Sequence, residues 1–250
     1  MNAEKRFFDS NFEVFLADTL ESKYINYNLR YQVYCDEMGF EDKTSCPDQM
    51  EYDEWDQNSV HFVVRHRVTG NWLGGLRLVL PNTSGFPFEE WSVPDQAITD
   101  PQRLIAVEVS RLCIIKDARR FTAKRFAPYG LSDNEVDDNN KVRSIYNYKN
   151  QSRSLMWGLI RAAATYCAAH NIQYWYFIVA PALAGFIRKN GFEMHQIGAA
   201  CQHRGERFPY QLNVENILAN PMWQDDYKLG YQLHSEQKQE DYQYKCIANC

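Results

Sequence analysis

Leu104-Ile105-Ala106-Val107-Glu108-Val109-Ser110-Arg111-Leu112-Cys113-Ile114-Ile115 is the most apolar run in the chain. A short, continuous, β-branched run of this kind predicts a strand buried at the centre of a sheet. Upstream, residues 60–67 alternate as a strand, Thr69-Gly70-Asn71 form a turn, and residues 72–80 return as the hairpin partner until Pro81 stops them. Downstream, residues 116–147 carry Pro128, Gly130 and a polar run, and predict a long insertion, functional or mobile in character. A helix is expected over 152–170, with Leu155, Leu159, Ala163 and Tyr166 on one stripe and Asn150, Ser152 or Ser154 as its cap. Residues 172–179 read as a second buried strand. Pro181 opens a short helix by its preset φ, and Gly191 stops it before a strand over 192–197. Nearer the start, Tyr24, Tyr27, Tyr31, Tyr34 and Met38 recur at helical spacing and predict a helix over 21–38, with Arg30 beside the aromatic stripe. The order helix, hairpin, strand, helix, strand, helix, strand predicts an α/β fold: a mixed central sheet with helices on both faces. No Gly-rich turn supports a dinucleotide-binding alternative.

The 250 residues are 45% hydrophobic and 24% charged, enough for one well-buried core. One domain over 1–215 is expected, followed by a polar tail over 216–250 that forms a surface helix or stays disordered. No stretch is apolar enough for a membrane helix, and Met1 to Arg6 lead into Phe7-Phe8-Asp9 rather than an apolar signal core, so a cytoplasmic location is expected. The seven cysteines are scattered and never form a C-x-x-C pair, which favours reduced thiols and no metal site. Cys201, His203 and His195 match no zinc spacing. Cys113 has no nearby histidine to activate it and reads as an inert buried thiol, and His61 reads as a structural histidine. Residues 1–56 carry 14 acidic against 5 basic side chains, whereas 116–153 reverse to 9 basic against 5 acidic. The second segment is a candidate docking surface for an acidic partner. Nucleic acid is excluded as that partner by the overall net charge of -5 and by the lack of interleaved aromatics.

The charged residues that interrupt apolar segments are the most informative. Arg30 precedes Glu51-Tyr52-Asp53-Glu54-Trp55-Asp56; Arg77 lies inside the hairpin strand; Glu108 and Arg111 lie inside the central strand. Burying a guanidinium requires a carboxylate partner, so an ionic network is expected, either fold-specifying or catalytic. Strict alternation would put Glu108 and Arg111 on opposite faces. A β-bulge near Val109 or Ser110 would bring them to one face, where freed backbone N–H groups can meet a substrate carbonyl.

These motifs resemble a family. Arg30-Tyr31-Gln32-Val33-Tyr34 with Gly39-Phe40, the Glu-x-Asp-x-x-Asp of 51–56, Arg77, and Glu108-x-Ser-Arg111 are similar to the signature of acyl-homoserine-lactone (autoinducer) synthases, which have the fold of the Gcn5-related N-acyltransferases (GNAT). Tyr34 stands where that family usually has Phe, and Phe40 where it usually has Trp. The downstream Ala180-Pro181-Ala182-Leu183, Gly191-Phe192, Ile197-Gly198 and His203-Arg204-Gly205-Glu206-Arg207-Phe208-Pro209-Tyr210 are more similar to a sister group, the PEP-CTERM/exosortase-associated acyltransferases and N-acyl amino acid synthases.

The resemblance implies transfer of a fatty-acyl group from a thioester to the amine of an amino acid or similar small molecule. It implies that backbone N–H groups of Val109 and Ser110 polarise the thioester, and that Arg30, Tyr34, Phe40, Asp53, Asp56, Arg77 and Arg111 form the amine-substrate cleft. Glu108 is a candidate to accept the amine proton. No bound cofactor is expected. The Gly-rich loop by which coenzyme-A enzymes of this fold cradle pyrophosphate is absent from 149–156, KNQSRSLM. That favours an acyl carrier protein over acyl-CoA as donor, docked on Arg119, Arg120, Lys124 and Arg125, with its phosphopantetheine phosphate at a helix N-terminus near Lys149 and Arg153. Trp157, Phe177 and Phe186 are expected in the core, some of them along an acyl-chain tunnel. The alternatives are an acyl-homoserine-lactone synthase using S-adenosylmethionine and a non-catalytic acyl- or partner-binding module.

Overall fold

In chain order the elements of the computed structural model are α1 (Phe7–Asn11), β1 (Phe12–Leu16), α2 (Leu20–Tyr31), β2 (Ser59–His66), β3 (Trp72–Val79), α3 (Asp100–Leu104), β4 (Ala106–Ile114), α4 (Lys116–Arg119), α5 (Asn140–Ala169), β5 (Tyr174–Val179), α6 (Pro181–Lys189), β6 (His195–Gln196), β7 (Cys201–Gln202), β8 (Glu206–Asn213), α7 (Val214–Leu218) and β9 (Gln232–Leu233). The described residues are 7–81, 85–119 and 140–237. Among them the sheet runs β6-β8-β5-β4-β3-β2-β1-β9, with β7 added to β8. The apolar run at 104–115 is the central strand expected: β4 pairs antiparallel with β3 and parallel with β5.

Helices cover both faces. Phe15, Val63 and Cys113 project toward Leu29 of α2 and Val33 just beyond it. Phe62, Val64, Leu76, Leu78 and Val107 project the other way, toward Leu155 and Leu159 of α5. Side chains of this size contribute roughly 1.5–3 kcal/mol each when fully buried, so the two faces hold the sheet between the helices. Gly75 sets the closeness of α2, since a Cβ there would overlap the buried Asn26 amide and stand 2.9 Å from the Phe62 carbonyl oxygen.

Several elements differ from expectation. α2 starts at Leu20 behind a Thr19 cap whose hydroxyl accepts from the Ser22 N–H at 3.2 Å, and beyond Tyr31 the turns widen into a π-helix over Gln32–Glu37. The wider turn changes which way residues 33–37 point, as π-bulges near functional sites do; the buried Tyr34 hydroxyl donates to the Leu112 carbonyl at 3.0 Å. α5 begins at Asn140 rather than near 152, so the insertion is shorter than expected. Lys149 and Arg153 are therefore interior to the helix, where backbone N–H groups are spent on i−4 carbonyls. The anticipated phosphate-binding helix N-terminus does not exist at that point. The strand expected over 192–197 shrinks to His195–Gln196, while β1 and β8 were not anticipated. Residues after 216, expected as a tail, fold back through residue 237. Trp223 is buried against Trp157 and Phe192, and β9 pairs parallel with β1.

Two irregularities of β4 shape the site. Gly75 pairs with Cys113 but Arg77 pairs with Ser110, so Arg111 and Leu112 together oppose Leu76. This is the expected bulge, displaced from Val109 or Ser110 to Arg111, whose φ of 52° is left-handed. The second irregularity lies on the other edge. β4 and β5 pair only from Ala106↔Tyr174 to Glu108↔Tyr176, then separate. From Val109 onward β4 has no described partner on that side.

Candidate active site

The register puts His61, Arg77, Ser110 and Glu108 on the α2 face of the sheet, because His61 pairs with Arg77, Arg77 with Ser110, and Val79 with Glu108. The Asp53–Asp56 turn closes over them. Arg30 holds Asp56 in a fork, Nη1 to Oδ1 at 2.6 Å and Nη2 to Oδ2 at 3.0 Å, and donates from Nε to Glu51. Arg77 donates from Nη1 to Asp53 Oδ1 at 2.5 Å and from Nε to Ser110 Oγ at 3.0 Å. Arg111 donates from Nε to Glu51 and from Nη2 to Asp53, both at 3.0 Å. The bulge brings Arg111 to this face, and these two charge-assisted bonds offset the left-handed backbone, which costs roughly 1–3 kcal/mol.

Three guanidiniums meet three carboxylates, so the network neutralises itself and leaves no lone buried charge. Burial works against the Arg30 charge, but Glu51 and Asp56 outweigh it and raise the pKa. Burial likewise works against the charges of Glu51 and Asp56, and the arginines outweigh it and lower both pKa values. His61, buried beside Asp56, is instead held neutral, its pKa depressed by burial to about 3. Both of its ring nitrogens are buried without a hydrogen-bond partner among the described residues, so it is not the satisfied structural histidine expected. Cys113 is likewise a buried thiol, pushed up to about 12 by desolvation.

Glu108 stands outside this balance. It is 3% exposed, and its Oε2 accepts from the Phe88 N–H at 2.7 Å. Burial raises its pKa to about 8, against the lowering influence of that N–H and of Arg77 and Arg111. Near neutral pH the group takes or gives a proton easily, which a general base requires.

A cavity of ≈ 560 Å³ runs through the parting of β4 and β5. Its polar end is lined by Tyr34, Asp53, Arg77, Glu108, Ser110 and Arg111, and its apolar end by Trp157, Leu183, Ile187, Phe192, Leu212 and Ile217. Val109 lies at the passage between them. Of the residues expected at the site, Tyr34, Phe40, Asp53, Arg77, Glu108, Val109, Ser110 and Arg111 line the cavity, whereas Arg30 and Asp56 sit one layer behind and fix the first set. Trp157 and Phe177 line it too, while Phe186 stacks on Trp157 outside it. Arg153 lies over Phe186 at 4.8 Å. The side chains of Arg119, Arg120, Lys124, Arg125 and Lys149 fall outside the described residues. Among those described, no three His, Cys, Asp or Glu cluster so as to hold a metal, and no helix is long and apolar enough to cross a membrane.

The cavity has a roof that the motifs did not assign to it. The β7–β8 hairpin turns at Arg204 and Gly205, with φ of 52° and 93°. His203 packs on Trp91 at 4.4 Å between ring centroids, and Arg204 pairs with Glu41. All four residues line the cavity with Arg207. The turn signal at Gly205 amid charged residues and the resemblance carried by 203–210 were the sequence hints.

Residues 29–127 match the model of the acetyltransferase (GNAT) domain. No curated protein matches the chain by sequence. Among solved structures, a CoA-dependent acyl-homoserine lactone synthase, BjaI, with SAM and isopentyl-CoA, is similar over 83% of this chain and 85% of its own, with TM-score 0.55 and 16% identity. TofI, in a ternary complex with an inhibitor and MTA, is similar over 81% and 91%, with TM-score 0.52 and 18% identity. The AHL synthase LasI is similar over 81% and 89%, with TM-score 0.50 and 15% identity. The domain match and the mixed sheet flanked by helices define the class: an N-acyltransferase of GNAT architecture.

Proposed function

We propose that this enzyme moves a fatty-acyl group from a carrier-protein thioester to the amine of an amino acid or a similar small molecule. One observation carries the reading: a single cavity joins a charged cleft to an apolar pocket through the gap between β4 and β5. An acyl chain placed in the apolar end leaves its thioester carbonyl at Val109 and Ser110, where the open edge of β4 offers polarising backbone groups. The acceptor amine enters from the polar end. Its nitrogen attacks the carbonyl carbon, the N–C bond forms, and the C–S bond breaks. Glu108 takes a proton from the attacking nitrogen and passes it, directly or through solvent, to the departing sulfur, which leaves as a thiol. Arg77, fixed by Asp53 and Ser110, and Arg111, fixed by Glu51 and Asp53, keep the cleft rigid.

A carrier-protein donor is supported by the basic excess over 116–153 and the glycine-free 149–156, which lies within a helix and offers no pyrophosphate cradle. A cytoplasmic reaction accords with such a donor. The similarity of 180–210 to the exosortase-associated and N-acyl amino acid synthase group supports an amino acid as acceptor. The test is mass spectrometry of lipid extracts from cells expressing the wild type or Glu108→Gln. An N-acyl amino acid made by the wild type and missing with the variant is expected. An acyl-homoserine lactone would transfer the assignment to the autoinducer synthases, and bound fatty acid without any product would indicate a binding module.

A further inference from the structure

The cations of the cavity are not equivalent. Arg77 and Arg111 are paired within the network, and Arg204 is paired with Glu41. Arg207, on β8, differs: its Nε donates to the His203 carbonyl at 3.2 Å and its Nη2 to the Arg204 carbonyl at 3.1 Å. Among the described residues no carboxylate pairs with it. Two of its five N–H groups are thus spent on fixing the guanidinium plane within the hairpin, and the others keep their capacity to donate. Main-chain anchoring of one edge leaves a fork suited to a planar anion, since carboxylates bind guanidinium with two parallel bonds.

The position of the fork indicates which anion. The guanidiniums of Arg111 and Arg204 lie 5.8 and 5.7 Å from the Tyr34 ring centroid, so the hairpin tip stands over the polar end of the cavity. The pKa of His203, lowered chiefly by burial and further by Arg111 and Arg207, agrees with this crowding of positive charge. On the acyl-transfer reading the acyl chain takes the apolar end and its thioester the passage, which leaves the polar end to the acceptor. At the polar end, the exposed Glu54 and Glu90 line the same cavity. The wall therefore offers negative charge for an ammonium and one uncompensated guanidinium for a carboxylate.

We infer that Arg207 is a specificity-determining residue that binds the α-carboxylate of the acceptor, so that the acceptor class is α-amino acids rather than simple amines. This inference rests on the acyl-transfer reading above, but its test needs no turnover. Binding of N-dodecanoyl-phenylalanine and of its carboxylate-free analogue N-dodecanoyl-phenethylamine is measured by calorimetry for the wild type, Arg207→Gln and Arg207→Lys. The wild type is expected to favour the acid by at least about tenfold, as a charge-assisted pair of hydrogen bonds implies. Arg207→Gln should bring the ratio within about twofold of unity, and Arg207→Lys should retain an intermediate ratio because charge persists while the fork is lost. A wild type that binds both compounds alike overturns the inference whatever the variants do. So does Arg207→Gln that keeps the preference, or that instead weakens binding of 4′-phosphopantetheine alone, which would make Arg207 a donor-phosphate residue. If the preference depends on Arg207 while no amine is ever acylated, the carboxylate subsite stands and the transferase reading falls.

Discussion

Replacing Glu108 by Gln should stabilise the protein near neutral pH while removing its activity. The carboxyl is buried, and its pKa in the folded state is about 8 against an ordinary 4.5. Folding therefore favours the protonated form. The stability this contributes is fully present below pH 4.5 and is lost as the pH rises through 8, because the unfolded chain sheds the proton that the folded one retains. Between the ordinary value and pH 7 the loss amounts to about 3 kcal/mol, at about 1.4 kcal/mol per pH unit. Gln keeps the shape and the acceptor for the Phe88 N–H but cannot ionise. Urea midpoints measured from pH 4.5 to 9 should show the stability difference between Glu108→Gln and the wild type growing by about 3 kcal/mol up to pH 7 and levelling above pH 8. Over the same range the wild-type rate should climb toward a plateau with an apparent pKa near 8, and the variant should lose about 10²–10⁴-fold at every pH. A stability difference that stays constant from pH 4.5 to 9, or a rate governed by a pKa near 4.5, would refute the burial of an ionisable base at this position.

Three further outcomes follow from the geometry. Arg30→Leu leaves Glu51 and Asp56 without their main partner and should cost roughly 3–5 kcal/mol in urea unfolding; because the folded pKa values of both carboxylates are depressed, the wild type should lose stability as pH falls below their ordinary values of 4.5 and 3.8. A variant as stable as the wild type would contradict the network. Gly75→Ala should destabilise by roughly 1–3 kcal/mol, since α2 must move away from the sheet, and a neutral result in thermal unfolding would show that the closeness is not required. Leu183→Trp fills the apolar end of the cavity and should shift the longest efficiently transferred acyl chain to a shorter one, read from kcat/KM over a series of donors; an unchanged chain-length profile would place the acyl group elsewhere.

The elements legible in the sequence are those whose hydrophobic pattern reports their burial directly. β4, the β2–β3 hairpin, β5 and α6 are of this kind, with Pro81, Pro181 and Gly191 marking ends. β1 escaped because its five residues fall in an acidic segment and acquire strand character from β2, where Glu13 meets Arg65 at 2.5 Å. β8 contains Pro209 and a charged turn, and its pairing with β5 comes from tertiary contact rather than local propensity. The network was legible because buried arginines demand carboxylates. The bulge was foreseen as a need but not at its place, since Arg111 takes its left-handed φ only when Glu51 and Asp53 hold its side chain. The hairpin roof was hidden for a similar reason. His203 lies 112 residues from Trp91 and Arg204 lies 163 residues from Glu41, partners they meet only in the folded chain.

Acyl transfer to an amine is read out by amine-dependent cleavage of an acyl thioester by the purified protein. Dodecanoyl carrier protein is incubated with a mixture of amino acids, the released thiol is followed, and the products are weighed by mass spectrometry. Thiol release is expected only when amine is present, with one N-dodecanoyl amino acid in equal amount and loss of both with Glu108→Gln. Thioester that stays intact with every amine, or thiol released at the same rate by the variant, would contradict acyl transfer by this site.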